Sequence, residues 1–542
     1  MLSVLGCSVW VWLQIRFYAR CDTGMIYCVA VGVSWWMGIV GVLVVLPLDI
    51  TASVDPDIEF DFLKVLWKVN YWVTFIWCWF ICPVAMEYYA AGEFTTQDKL
   101  KAALRMNLRY YVIVGTVLTL VIIAVAFKEG FQPAKISGFL IAATNCYGMS
   151  LVVVMTGYGI VQVPRSIWNR SNPGRLLKWY YIGAPAVETM LLDSQSDLQE
   201  IVLRASSLRC AESDILAALQ ARAEEIQSTM LADLPSSRRR YLSCSIDDEF
   251  DASSESLASL NYKLKKAVSQ LQRAEYDWEV LMNHTHVLEE SVGDGEYRRL
   301  SVEGDEIAPG GQDDERKVDR SMMWKIAGVV LMVLSAVLLW GECVTAFSTS
   351  LSLFAVVTSH SSGLVLWFFT CFVLLYLVIC AYSALFKFKL LDSLALHGNQ
   401  QTDAYCLLKN ASYLGRLQFS LGINYINMLH SENLKELSLY SIVGDMDVVP
   451  FLGTSFNHVI IFVILLVTGC TFFNVLDRVL RAFGIDTRSD PTSTGVTLRV
   501  CEEKVAEGRQ LVQRYRERDQ RRRNQTANQS NQYYSMRSFT TE

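Results

Sequence analysis

The stretch PRSIWNRSNPGRLLKWYY, residues 164–181, decides the fold. Before it the chain is a series of long apolar runs. From Pro164 to about Met322 no run is apolar and long enough to cross a bilayer, and after Met322 such runs resume. Crossing a hydrocarbon core takes about 20 predominantly apolar residues at about 1.5 Å each. A chain ordered in this way has two membrane-embedded helical blocks with a water-exposed element hung between them. Composition agrees: 52% of the 542 residues are hydrophobic, only 19% are charged, and mean hydropathy is +0.27. A soluble protein would carry about a quarter charged residues.

The sequence therefore predicts an all-α polytopic membrane protein with about nine transmembrane helices in a 5+4 arrangement. Residues 1–163 hold spans one to five, at 2–15, 25–48, 65–88, 110–127 and 138–162. Residues 323–483 hold spans six to nine, at 323–348, 363–386, 407–429 and 458–483. Span one is short. Arg16 and Arg20 follow it and no small-residue cleavage site appears, so it reads as an uncleaved span rather than a signal peptide.

Residues 164–322 read as a cytoplasmic, coiled-coil-like helical hairpin between spans five and six, with flexible linkers. In 195–231 apolar residues recur at Leu198, Val202, Leu208, Ile215, Leu219 and Ile226. In 257–290 they recur at Leu257, Leu260, Leu264, Val268, Leu271, Val280 and Val287. Spacings of three, four and seven put them on one helix face. The Ser-, Arg- and acid-rich segment 233–255 separates the arms, and the Gly-, Asp- and Glu-rich segment 293–320 reads as flexible. Residues 484–542 read as a cytoplasmic, basic tail that ends in a disordered Gln/Asn/Ser-rich segment.

Charge asymmetry gives the orientation. With the N-terminus outside, the cytoplasmic flanks carry Arg16, Arg20, Lys99, Lys101, Arg105 and Arg109, then Arg165, Arg170, Arg175 and Lys178, then Lys387 and Lys389. The opposite loops carry Lys64, Lys128, Lys135 and Lys435 and little else that is basic. Basic residues favour the cytoplasmic side, so hairpin and tail lie there. The glycosylation patterns at Asn169, Asn283, Asn524 and Asn528 then face the wrong compartment. Plasma membrane and endolysosomal membrane fit equally.

Arg416 is the sharpest candidate for function, because it lies near the middle of span eight. A charge at membrane depth costs at least about 2.5–3.5 kcal/mol and has to face protein or water. Asn410 and Asn424 flank it, and Glu342 in span six is a candidate partner. Two readings stay open: a substrate or ion pathway, or a structural ion pair joining two spans. Asn145, Lys68 and Asn70 are weaker candidates, read as interhelical hydrogen-bonding groups. Glu87 and Asp477 sit near cytoplasmic ends.

The remaining chemistry is sparse. Most of the fourteen cysteines sit inside apolar runs and no C-x-x-C occurs, so they read as buried thiols. The six histidines give no ligand cluster, since His284 and His286 fall on different helix faces. No nucleotide-binding, hydrolase or zinc-protease motif appears. No metal, cofactor, nucleic-acid partner or enzymatic activity is expected. Arg298-Arg299-Leu300-Ser301 matches a basophilic kinase site at Ser301, and a phosphate there would add about −1.5 to −2 charges. The basic tail can meet anionic lipids or remain a solvated helix.

Several stretches resemble the limb region/lipocalin-receptor (LIMR) family of multipass proteins. They are LPLDI at 46–50, WKVNYWVTFIWCWFICPVAMEYYAAGEF at 67–94, GYGIVQVPRSIWN at 157–169, WGECVTAFSTSLSLFAV at 340–356, QTDAYCLL at 401–408 and EGRQLVQR at 507–514. They span nearly the whole chain in the family's order. The resemblance implies a receptor-like, signalling or trafficking role, with membrane-receptor or trafficking partners met through hairpin and tail. Lipocalin uptake and cobalamin export occur in sister branches, and the branch most alike is linked to adrenergic-receptor signalling. The short first external loop argues against ligand capture through that loop. A transporter or channel with a pathway past Arg416 is the alternative.

Overall fold

The computed structural model describes residues 2–54, 62–129, 133–208, 214–229, 254–300, 312–344, 353–361, 363–387, 396–429, 437–443, 454–475 and 501–539. Among the described residues the secondary structure is helical, apart from one isolated bridge between Ala19 and Thr402. In chain order the helices are α1 (Leu2–Tyr18), α2 (Met25–Val54), α3 (Phe62–Ala90), α4 (Thr96–Glu129) and α5 (Pro133–Asn169). Then come α6 (Pro173–Ser207), α7 (Asp214–Thr229), α8 (Ser254–Leu300), α9 (Gln312–Val344), α10 (Leu353–His360) and α11 (Gly363–Lys387). The last are α12 (Ala404–Leu429), α13 (Tyr440–Val443), α14 (Thr454–Phe472) and α15 (Cys501–Phe539). Both α2 and α3 contain a π turn, at Gly41–Val45 and Trp77–Ile81.

Among the described residues, six helices are long and apolar enough to cross a membrane. They are α2, α3, α4 over Thr96–Ala124, α5 over Cys146–Asn169, α9 over Ser321–Val344 and α11 over Gly363–Phe386. Helix α1 and segment Val459–Phe472 of α14 are apolar but shorter. The helix of span eight, α12, stands apart. It lies at the centre, packed on α2, α3, α5, α9, α10 and α11, and 20 of its 26 residues are buried. A helix enclosed by protein needs no lipid-facing apolar stripe, so α12 can carry polar side chains that a peripheral span cannot. Its opposite is α4, where only 6% of the apolar window is buried. Helix α5 is a second centre, packed on α9, α11, α12 and α14.

Helices α6, α7 and α8 share a second apolar core. Leu198, Val202 and Ala205 of α6 pack with Leu219 and Ile226 of α7 and with Leu257, Leu260, Leu264 and Leu271 of α8. Farther along, Leu177, Tyr181 and Ala184 of α6 meet Leu281 and Val292 of α8 and Leu511 and Val512 of α15. The start of α6 thus faces the end of α8, so the two helices run in opposite directions.

The details correct four expectations. The first arm is not one helix over 195–231. Helix α6 starts at Pro173, where the Asn172 side chain accepts from the Arg175 amide at 3.1 Å, and stops at Ser207. Near that stop the Ser206 and Ser207 hydroxyls donate back to the Val202 and Arg204 carbonyls, a competition with regular turns that favours ends. Val287 is exposed, and Leu281 and Val292 are buried in its stead. Residues 293–300 and 312–320, read as flexible, are helical extensions of α8 and α9. Helix α15 continues through most of the Gln/Asn/Ser-rich tail to Phe539, in a stretch where no Pro or Gly interrupts it.

Candidate functional site

A polar seam runs along α12. At its start Asp403 caps the helix, accepting from the Cys406 amide at 3.3 Å. The preceding turn is tight, with positive φ at Asn399 and Gln400. Backbone bonds from Gln400 and Thr402 to the Phe17 and Tyr18 carbonyls tie it to the end of α1. Here α8 docks. Arg273 meets Asp403 at 3.0 Å, with side chains only 14% and 9% exposed, and Ser269 donates to the same carboxylate at 3.2 Å. Burial works against ionising Asp403, but Arg273 and the hydrogen bonds of Cys406 outweigh it and hold its carboxyl below the usual range. On the same face of α8, Asn261 donates to the Gly92 carbonyl and Lys265 to the Ala91 carbonyl, each at 2.6 Å. Gly92 is there because a Cβ would lie 1.9 Å from the Ala258 carbonyl oxygen. Helix α15 approaches α6 in the same way: a Cβ on Gly508 would lie 1.8 Å from the Tyr181 carbonyl oxygen.

Midway along α12 lies Arg416. Its Nη2 donates to the Cys78 carbonyl at 2.5 Å, and its guanidinium sits 3.9 Å from the centre of the Trp79 ring and 5.8 Å from that of Tyr413. Cys78 belongs to the π turn of α3, where the i→i+5 ladder leaves carbonyls free for outside donors. Tyr111 of α4 donates to the Trp79 carbonyl beside it. No carboxylate pairs with Arg416 among the described residues. A hydrogen bond to a charged group contributes about 1.5–3 kcal/mol, and a desolvated cation–π contact about 2 or more. Together these match the insertion cost of about 2.5–3.5 kcal/mol, so no acid is needed. One turn nearer the α12 N-terminus, Ser34 donates to the Ala411 carbonyl at 2.6 Å. Just beyond Arg416, Gln418 donates to Thr74 and accepts from Asn70, both at 3.0 Å.

The structure separates the pair that the sequence suggested. Glu342 is buried and accepts from Asn424 at 2.5 Å, while Arg416 is engaged by Cys78 and Trp79. Asn410 is fully buried on α12. The Asn145 side chain, Ser301 and Asp477 lie outside the described residues. Asn70, taken as a weak candidate, is part of the seam. Sequence reasoning passed over Gln418, Thr74, Trp79, Arg273, Asp403 and the buried Asp49. Asp49 accepts from Trp67 at 3.0 Å and from the Leu439 amide at 3.1 Å, which ties α2 to α3 and to the segment before α13. A signal did exist for two of them, since Asp49 and Asp403 are the acids of LPLDI and QTDAYCLL.

The model of LMBR1-like membrane proteins matches residues 1–476. The chain is 26% identical over 501 residues to the "G-protein coupled receptor-associated protein LMBRD2" of Gallus gallus, covering 85% of this chain and 70% of that protein. The identically named protein of Homo sapiens is 26% identical over 502 residues, covering 85% and 71%. The "LMBR1 domain-containing protein 2 homolog" of Drosophila melanogaster is 26% identical over 508 residues, covering 87% and 70%. No solved structure matches the chain.

Proposed function

The chain belongs to the LMBR1-like membrane protein family, and from that premise we propose that it is a non-enzymatic, receptor-associated adaptor. In this reading it has nine spans in a 5+4 arrangement, its N-terminus outside and its C-terminus in the cytoplasm. Residues 164–322 form the cytoplasmic hairpin, and hairpin and tail together recruit G-protein-coupled receptors or trafficking proteins. The relatives' names supply the class of partner. One observation carries the reading: the tail helix α15, the helices α6 and α8, and the start of α12 are joined by buried contacts through Gly508, Leu511, Arg273 and Asp403. A partner captured on the soluble helices is thereby coupled to the centre of the membrane block. The basic residues divide accordingly. Arg516 is engaged with Glu289 on α8, while Arg514, Arg518 and Arg521 are exposed, as contact with anionic lipid at the tail requires.

The test is proximity labelling in cells from a tag placed in segment 233–253, comparing the intact chain with one truncated before Cys501. Receptors and sorting proteins lost on truncation support the adaptor. Identical profiles from the two chains would sink it.

The second reading, a pathway past Arg416, draws on the Arg416 Nε, which is buried without a hydrogen bond among the described residues, and on the seam through Ser34, Thr74 and Gln418. Flux in proteoliposomes lost in Arg416→Gln, with assembly unchanged, is its signature.

A further inference from the structure

We propose that the groove between α2, α3 and α4 is a binding site for one anionic membrane phospholipid, its acyl chains in the groove and its phosphate held by Lys99, Arg222 and Lys265. The groove has a volume of about 870 Å³ and is lined by Met25 and Tyr27 of α2, by Phe80, Val84 and Tyr88 of α3, and by Leu100 of α4. That volume falls within the roughly 300–1,000 Å³ of ligand sites. All three helices are long and apolar enough to cross a membrane, and Met25, Phe80 and Leu100 are exposed. The groove therefore opens sideways into lipid.

Beyond the Tyr88 and Leu100 end of the groove, outside its apolar lining, three cations gather. Leu100 adjoins Lys99, and Tyr88 lies three residues before Ala91, whose carbonyl accepts from Lys265. Arg222 of α7 reaches the same place, its Nη1 lying 3.5 Å from Oδ1 of the Asn261 that holds Gly92. None of the three cations forms a salt bridge among the described residues. Asp98, next to Lys99 along α4, is engaged by Thr95 and Lys101. The crowding is felt at Lys265: burial, then Lys99 and Arg222, push its ammonium down to about 8. Three like charges gathered with no salt-bridge partner among the described residues are unfavourable until an anion arrives. An apolar lateral groove capped by a cation cluster where α3 ends and α4 begins matches an anionic phospholipid, with its chains at membrane depth and its phosphate at the surface. The proposal needs only the membrane-crossing character of α2, α3 and α4, and is independent of the receptor reading.

The experiment has two parts. Native mass spectrometry of the full chain, released from nanodiscs containing phosphatidylcholine and phosphatidylinositol phosphate, is expected to retain the anionic lipid. Each basic residue near a membrane surface contributes about 1 kcal/mol, or about fivefold. Lys99→Gln, Arg222→Gln and Lys265→Gln should each weaken retention by about that factor, and Ala85→Trp, at the groove wall, should weaken it further. Retention unchanged in the triple variant overturns the proposal. The second part needs no variant. Lys265 of the intact chain is labelled with an amine-reactive ester in nanodiscs with and without the anionic lipid. Protection by the diacyl lipid, and by neither phosphatidylcholine nor soluble inositol phosphate, is the expected result. Equal protection by the soluble headgroup, or no protection, overturns the assignment to a membrane lipid.

Discussion

Arg273 and Arg416 both hold α12 in place, and their surroundings satisfy them in opposite ways. Arg273 reaches the start of the helix from α8, at the edge of the membrane block, and is met by the Asp403 carboxylate. Arg416 projects from the middle of the helix and is met by a backbone carbonyl and an indole ring. Asp403 is buried, and it stays charged because Arg273 and the hydrogen bonds of Cys406 outweigh the cost of its burial. At membrane depth a second charge would add its own insertion cost, whereas a carbonyl freed by a π turn and a Trp face add none. The difference teaches that an arginine in the middle of a central, largely buried helix is not by itself evidence of a hidden acid. The π turn of α3 is the feature that makes the neutral solution available.

Replacing each arginine by an apolar side chain of similar length should therefore have unequal consequences. Arg273→Met strands the Asp403 carboxylate in a buried site, and breaking a buried pair from one side costs about 3–5 kcal/mol. Native-state hydrogen exchange over residues 257–274 should lose protection by that amount. The double variant Arg273→Met/Asp403→Leu should recover most of it, because removing both charges also removes their desolvation cost. If the double variant were as damaged as the single, the contact would be packing rather than an ion pair. The next effect in size is Trp79→Leu. It removes the ring beneath a guanidinium that remains in place, and a desolvated cation–π contact is worth about 2 kcal/mol. A thermal-shift assay in detergent micelles checks this, with Trp79→Phe expected to fall between the two.

How much of this was legible in the sequence follows from the same contrast. Six of the expected spans appear as long apolar helices, because about 20 apolar residues in a row mark a segment able to cross a bilayer whether or not neighbours bury it. Helix α12 carries too many polar groups for that signal; it is polar enough to read as a broken or internal helix, while the neighbours that bury it are not encoded in a one-dimensional pattern. The cost of a buried charge singled out Arg416, but the partner was misjudged. The sequence contains acids such as Glu342 and gives no sign that the π turn of α3 would present the Cys78 carbonyl. Likewise the periodicity of 195–290 located α7 and much of α8, while the docking of α15 on α6 depends on Gly508, a residue no periodicity highlights.

Smaller again is Arg416→Met. It deprives the Cys78 carbonyl of its donor, at about 1–3 kcal/mol, gives up the cation–π contact with Trp79, at about 2 kcal/mol, and also removes an insertion cost of about 2.5–3.5 kcal/mol. The net should be a loss of about 1 kcal/mol, against several for Arg273→Met, and the thermal-shift assay that reads Trp79→Leu reads this as well. A large loss would show that Arg416 is held by more than a carbonyl and two rings.

The smallest effect expected is that of mild acid on the Arg273 contact. Asp403 ordinarily titrates at 3.8 and is held below that value in the fold. A carboxylate with a lowered folded value binds fewer protons than in the unfolded chain, so its contribution is complete above 3.8 and fades only as pH falls toward the lower folded value. Protection over residues 257–274 should therefore be insensitive to Asp403 between about pH 7 and pH 5. The test compares the wild-type chain with Arg273→Met/Asp403→Leu over that interval. Parallel profiles agree with a carboxylate held down by its guanidinium. A wild-type curve that falls away from the double variant near pH 5 would mean that burial, rather than Arg273, sets the affinity of Asp403 for its proton.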